Sequence, residues 1–193
     1  MKNRGAIAVI GLVQAVIGYE WVKAGWEKII DPNFVTGMAK TLGVFASKNP
    51  TTWYKDLLTG TGIPNATTLG WLIAYGEFLV GIALLVAAAV YLFYGAGIDP
   101  VTRWIVPIGA VVALIGGAFM SANFWFAAGW LSVSTDSVNA VMFLTQLVLA
   151  GMTIYFLTQP VEEVPDEELA WRRLFNSTPA AEPAPKEPIG IAH

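Results

Sequence analysis

Polar side chains within long apolar runs are the residues of this sequence most able to do chemistry. The set is Glu20, Lys23, Glu77, Ser121, Asn123 and Gln146. If the runs are membrane helices, 1.5 Å of rise per residue places Glu77 about 12 Å past Leu69 and Gln146 about 12 Å into the fourth run. Ionisable residues inside a membrane are costly and suggest a functional site by default. A carboxylate among apolar walls is a candidate for proton transfer, and the set could surround a quinone head group.

The same residues allow two other interpretations. Glu20 and Lys23 stand three residues apart and can face each other on one helix. Lys23 could instead bridge to Glu77 on the next helix. Either would be a structural ion pair, because buried charges are usually paired, and the pair with Glu77 would lock two helices together. Lys23 could also extend to the membrane surface. A polar pocket, a structural ion pair and an interfacial lysine therefore remain open.

Composition limits the elements that can hold these residues. Of the 193 residues, 55% are hydrophobic and 13% are charged, about half of the ~25% typical of soluble domains. This excludes a soluble globular protein and a disordered chain. The net charge of −3 leaves no basic surface for nucleic acid. There is no cysteine, and the single histidine is His193. The chain therefore offers no thiolate or histidine site for a metal, and no histidine to ligate haem inside an apolar run.

The charge-free runs predict an all-α fold, an integral membrane four-helix bundle. A helix needs about 20 apolar residues to cross the hydrocarbon, and inside it the backbone must satisfy its own hydrogen bonds. We expect transmembrane helices at about 6–29, 69–94, 103–127 and 138–157. They form a domain over residues 1–160. Residues 161–193 are expected to add a short cytoplasmic helix and a tail rich in proline and alanine.

The segments outside the spans also carry predictions. Lysine and arginine are densest beside the N-terminus, which favours a cytoplasmic position for both termini. The long first extramembrane loop then faces outside. Its residues Phe34, Met38, Leu42 and Phe45 recur at helical spacing, which predicts an amphipathic surface helix that ends at Asn49. A second short helix is expected over residues 51–58.

Two further patterns concern packing and aromatic residues. Glycines recur every seven residues at Gly11, Gly18 and Gly25, and again at Gly109 and Gly116. Small residues on one face let helices approach closely. Aromatic residues cluster at the expected outer ends and are typical of an interfacial belt, although some could line a stacking site. The cluster contains Trp21, Trp26, Trp53, Trp71, Phe124, Trp125, Phe126 and Trp130.

Several fragments resemble the DoxX/DoxD family of four-helix membrane proteins. The first runs from Gly18 to Lys28, with Ala24-Gly25 followed by a lysine. The second joins Gly62-Ile63-Pro64 to the stretch from Gly76-Glu77 to Gly81. The third runs from Asn123-Phe124-Trp125 to Asn139. The order and spacing of the fragments agree with the family over roughly residues 10–157. One departure is Gln14, at a position where the family often has an arginine.

The resemblance implies a subunit of a quinone-linked oxidoreductase. The family includes the small subunit of thiosulfate:quinone oxidoreductase, which implies electron transfer from thiosulfate to a membrane quinone with a second subunit. In that case Glu77 and Glu20 would handle protons and Lys23 would tune them or bind a quinone carbonyl. Asn123 and Trp125, with Ser121 and Gln146, would complete the pocket. We expect a bacterial or archaeal cytoplasmic membrane, with lipid and other membrane subunits as partners.

The alternative is a non-catalytic accessory or scaffolding subunit of a larger respiratory or photosynthetic membrane complex. In that interpretation no residue of this chain does chemistry. The polar cluster would only lock the helices together, and the outer loop and the C-terminal tail would be docking surfaces.

Overall fold

The computed structural model describes residues 4–93, 100–128 and 136–158, and these residues form helices joined by short connections. The helices are α1 Arg4–Ile30, α2 Pro32–Lys48, α3 Thr52–Leu57, α4 Ala66–Phe93, α5 Pro100–Ala127 and α6 Asp136–Thr158. A π-helical turn, Leu58–Gly62, continues α3. The expected short helix and tail at 161–193 lie outside the described residues.

Four of these helices are long and apolar enough to cross a membrane. The candidate spans are Gly5–Ile30, Ala66–Phe93, Trp104–Ala127 and Val138–Thr158. The predicted all-α fold with four transmembrane helices is confirmed. Large apolar side chains such as Leu79, Phe119 and Val148 are exposed on the spans, which suits contact with lipid. The chain is therefore a multi-pass membrane protein.

The closest helix pair is α1 with α4, which run antiparallel. A Cβ on Gly25 would fall on the backbone nitrogen of Phe78, and a Cβ on Gly81 would fall on that of Val22. A Cβ on Gly18 would lie 3.0 Å from the carbonyl oxygen of Gly81. Without side chains at these positions the two backbones can touch, as predicted for α1.

On α5 the same prediction is wrong. A Cβ on Gly109 would meet nothing within 4 Å, and one on Gly116 would meet only Val80, at 3.9 Å. The seven-residue spacing alone did not show whether a neighbouring helix lies against these glycines.

The apolar face of α2 packs against the protein. Asp31 caps α2 by accepting a hydrogen bond from the Asn33 backbone nitrogen at 2.9 Å, and Pro32 follows it. The buried residues of this helix are Val35, Met38, Leu42 and Ala46. Met38, Leu42 and Ala46 share a core cluster with Tyr54, Leu58, Ala66 and Ala127. The predicted amphipathic helix is confirmed, and α2 and α3 form a cap on the end of the bundle at which α1 ends.

Candidate functional site

Three residues with polar groups occur at seven-residue spacing on α1: Gln14, Trp21 and Lys28. Seven residues are close to two helical turns, so the three side chains stay on one face. Each of them binds a different part of the bundle, as the following contacts show. We call this set the inward polar face of α1.

The contact nearest the cap is an ion pair between α1 and α4. Lys28 Nζ lies 2.6 Å from Glu77 Oε2 and also donates to the carbonyl oxygen of Ala24 at 3.3 Å. The side chain of Glu77 is 2% exposed and that of Lys28 is 27% exposed. Lys28 Nζ also lies 5.7 Å from the ring centre of Phe34 on α2. The carboxylate of Glu77 is thus buried and bound by a cation of the same chain.

Helix geometry explains why Lys28, and not Lys23, meets Glu77. Side chains on a helix lean toward its N-terminus. Since α1 and α4 are antiparallel, Lys28 leans into the bundle and Glu77 leans toward the cap to meet it. Lys23 is exposed on another face of α1. The expected bridge from Lys23 to Glu77 is therefore not the one formed.

The second contact joins three helices. Trp21 Nε1 on α1 donates to Gln146 Oε1 on α6 at 3.1 Å, and Gln146 Nε2 donates to Ser121 Oγ on α5 at 3.1 Å. The amide of Gln146 also donates to the carbonyl oxygen of Met142 at 2.8 Å. A Cβ on Gly117 would fall on Gln146 Oε1, so this glycine makes room for the network. The side chains of Trp21, Ser121 and Gln146 are all buried, and Gln146 binds the other two.

The contact farthest from the cap joins α1 to α6. Gln14 Nε2 donates to Thr153 Oγ1 at 3.4 Å, and Thr153 Oγ1 donates to the carbonyl oxygen of Leu149 at 2.8 Å. Among the described residues, Gln14 Oε1 is the one buried side-chain polar atom without a hydrogen-bond partner. Gln14 stands where the resembled family often has an arginine, and here it faces another helix of the same chain.

Polar contacts also hold the cap on α5. Asn49 Nδ2 donates to the carbonyl oxygens of Phe126 at 2.7 Å and Ala127 at 3.3 Å, which a helix C-terminus leaves without helical partners. The Tyr54 hydroxyl donates to the carbonyl oxygen of Asn123 at 3.1 Å. Burial raises the pKa of Tyr54 above its usual value. The C-terminal end of α5 is thus fixed by two residues of the first loop.

The predicted site residues do not form one pocket. Glu77 belongs to the ion pair, Ser121 and Gln146 belong to the three-helix network, and Asn123 contacts Tyr54. Glu20 and Lys23 are exposed on α1 and make no ion pair with any described residue.

Trp125 lies among aromatic rings. Its centroid is 6.2 Å from that of Phe126 and 6.4 Å from that of Phe143. Within the described part of the chain, no group of three or more metal-ligating side chains is found.

The sequence did not predict the hydrogen bonds and the ion pair that Trp21, Lys28 and Tyr54 form with other helices. The spacing of Gln14, Trp21 and Lys28 was available as a signal, because each stands three residues after one of the glycines that face α4. The hydrogen bonds themselves depend on which residues of α4, α5 and α6 lie opposite, and spacing within α1 does not give that.

The surface of α4 carries an aromatic groove. Trp71 and Tyr75 stack with their ring centres 5.5 Å apart and their planes 21° apart. Thr68, Leu72, Gly76 and Leu79 complete its lining. Both aromatic side chains are exposed, so the groove opens toward the lipid.

Comparisons with protein-family models, curated proteins and solved structures find no match for this chain.

Proposed function

We propose that this protein is a non-catalytic accessory subunit of a larger complex in a bacterial or archaeal cytoplasmic membrane. The observation that carries the proposal is the internal pairing of Glu77. It is the best placed carboxylate for proton transfer, and it is buried and bound by Lys28 of the same chain. A paired and desolvated carboxylate of this kind holds helices together.

The rest of the polar set supports the same function. Gln146, Ser121 and Trp21 use their polar atoms to join three helices. The sequence has no cysteine and no histidine before His193, so this chain supplies no thiolate or imidazole for electron transfer. The resemblance to the DoxX/DoxD family is compatible with such a subunit.

The second candidate is a catalytic subunit of a quinone-linked oxidoreductase, with thiosulfate as the electron donor. The aromatic groove on α4 favours it, because stacked rings open to lipid suit a flat head group. Gly76 lines that groove and is followed directly by Glu77. The partly exposed Lys28 would then be the route by which a proton reaches Glu77.

The first experiment is to extract the tagged chain from its native membrane in mild detergent. Mass spectrometry then identifies the co-purified proteins and measures bound quinone. A stoichiometric set of cofactor-bearing subunits is the result that we expect. A lone chain, or one small partner with bound quinone, would contradict the accessory function and favour the second candidate.

A Glu77→Gln variant separates the two functions further. Glu27→Gln is the matched control, because Glu27 is exposed near the outer end of the same helix as Lys28. We expect Glu77→Gln to lower the amount of the other subunits that co-purify. Thiosulfate-dependent quinone reduction should then fall only in proportion to the amount of assembled complex. Loss of that activity in a fully assembled complex would overturn the accessory function.

A further inference from the structure

One face of α5 is exposed along its length and leads toward the cap. Val112 and Phe119 stand seven residues apart on this face, inside the span Trp104–Ala127, and both are well exposed. Asn123 and Phe126 follow Phe119 at steps of four and three residues, so they continue the same face toward the end of the span. Since α5 crosses the membrane, its exposed face is a lipid-facing surface.

The short helix α3 contacts this face at its last turn. The Tyr54 hydroxyl donates to the carbonyl oxygen of Asn123 at 3.1 Å, and the ring centre of Trp53 lies 6.1 Å from that of Phe126. Asn123 stands four residues before Ala127, which is about 6 Å of helical rise inside the end of the span. The contacts therefore place α3 beside the end of a membrane span, where hydrocarbon gives way to head groups.

The residues of α3 and of the turn that follows it divide into three sides. Tyr54 and Leu58 are buried against the protein. Trp53 and Leu57 lie four residues apart on a second, apolar side and are 60% and 46% exposed. A third side is polar and exposed, and it contains Thr52, Lys55, Asp56 and Thr59. The apolar part of α3 is therefore wider than its contact with the protein, and Trp53 and Leu57 are the uncovered part.

Two other exposed tryptophans lie at the same end of the bundle. Trp26 is 52% exposed and stands one turn before the end of α1 at Ile30. Trp71 is 43% exposed and stands just over one turn after the start of α4 at Ala66. Amphipathic indole rings favour the boundary between hydrocarbon and water. The positions of Trp26 and Trp71 therefore indicate the same membrane level as the contacts of α3 with α5.

We propose that α3 lies in the head-group layer of the membrane, with Trp53 and Leu57 inserted into lipid. The occupant of this side is lipid because the side adjoins the lipid-facing surface of α5 at Phe126. Lys55 lies on the opposite side of α3 and faces the water. An apolar side in the acyl boundary and a charged side toward water are typical of an interfacial helix.

This position also accounts for a polar residue on the lipid-facing surface of α5. Asn123 Nδ2 donates to the carbonyl oxygen of Phe119 at 2.8 Å, and the Tyr54 hydroxyl lies 3.4 Å from Asn123 Oδ1. A polar side chain inside a span is costly to expose to lipid. With α3 inserted beside it, Asn123 is covered by Tyr54, and lipid contacts the apolar side of α3 instead.

The test measures the membrane depth of single spin labels on α3. The chain has no cysteine of its own, so each label site is unique. Trp53→Cys and Leu57→Cys place the label on the apolar side, and Lys55→Cys is the matched control on the opposite side. The full chain alone is placed in vesicles of phosphatidylethanolamine and phosphatidylglycerol. Collisions of each label with oxygen, which concentrates in hydrocarbon, are compared with collisions with a water-soluble nickel chelate.

We expect the labels at positions 53 and 57 to lie about 5–10 Å below the phosphates, and the label at position 55 to lie at or above them. Equal access of the nickel chelate to all three labels would overturn the proposal, because α3 would then stand in water. Labels at 53 and 57 that neither reagent reaches would also overturn it, because protein would then cover this side. Position 57 decides the result if loss of the Trp53 ring disturbs its contact with Phe126. Because no other protein is present, the result is independent of the accessory function.

Discussion

Lys23 and Lys28 stand five residues apart on the same helix and have opposite surroundings. Lys28 reaches into the bundle and binds the buried carboxylate of Glu77. Lys23 is exposed beside Glu20 and has no ion-pair partner among the described residues. The difference follows from helix periodicity, which places position 28 on the inward polar face and position 23 on an exposed face of α1. Depth in the membrane alone therefore does not decide which charge is structural.

The largest effect should come from removing one partner of the buried ion pair. We expect Lys28→Met to lower the free energy of unfolding by about 3 kcal/mol, because it leaves Glu77 buried without its cation. Lys23→Met should change it by less than about 0.5 kcal/mol in the monomer. Unfolding of dilute protein in detergent micelles, followed by tryptophan fluorescence, measures both. Equal effects would remove the distinction between the two lysines.

The next largest effect should come from disturbing the close approach of α1 and α4, which brings Lys28 and Glu77 together. Gly81→Ala places a methyl group on the backbone of Val22, so α1 and α4 must separate. We expect a loss of about 2 kcal/mol in the same measurement. The control is Gly151→Ala, where a Cβ meets nothing within 4 Å and the change should be neutral or slightly stabilising. A tolerated Gly81→Ala would mean that the helices do not touch there.

Removing the three-helix network should have a smaller effect. Gln146→Leu leaves Trp21 Nε1 without its acceptor and Ser121 without its donor. A loss of about 1–2 kcal/mol is expected. Ser121→Ala removes only one of the two contacts and should cost less. If Ser121→Ala were the more damaging change, Gln146 would not be the centre of the network.

The smallest effect concerns the cap. Tyr54→Phe removes the hydrogen bond to the carbonyl oxygen of Asn123 and should cost about 1 kcal/mol. Burial raises the folded-state pKa of Tyr54 above 10.0, so the folded state holds this proton more tightly. The resulting stabilisation is complete below about pH 10 and is lost as the pH rises through the folded-state pKa.

A pH titration of unfolding therefore checks Tyr54 directly. The unchanged chain should lose stability above about pH 10 more steeply than the Tyr54→Phe variant. Parallel curves for the two proteins would show that burial in the folded state does not raise the pKa of Tyr54.

Hydropathy and spacing predicted much of the fold. The four spans, α2 and the glycine face of α1 follow from the length and period of apolar and small residues, which are properties of single helices. The partners of the polar residues could not be predicted in the same way. Lys28 was not among the predicted site residues, because its backbone lies near the end of the span and only its side chain leans back into the bundle. The contacts of Tyr54 and Asn49 depend on how the first loop folds over α5.

The central claim is that Lys28 and Glu77 form a structural lock rather than a proton-transfer site. The most direct test is the double variant Lys28→Met/Glu77→Met, compared with each single variant and with the unchanged chain. Replacing both charges by apolar side chains of similar size removes the pair without leaving a buried charge. We predict that the double variant recovers most of the stability lost by Lys28→Met. It should also co-purify with the same subunits, and the quinone reduction of the complex should be unchanged. A double variant that is stable and assembled but has lost quinone reduction would contradict the claim.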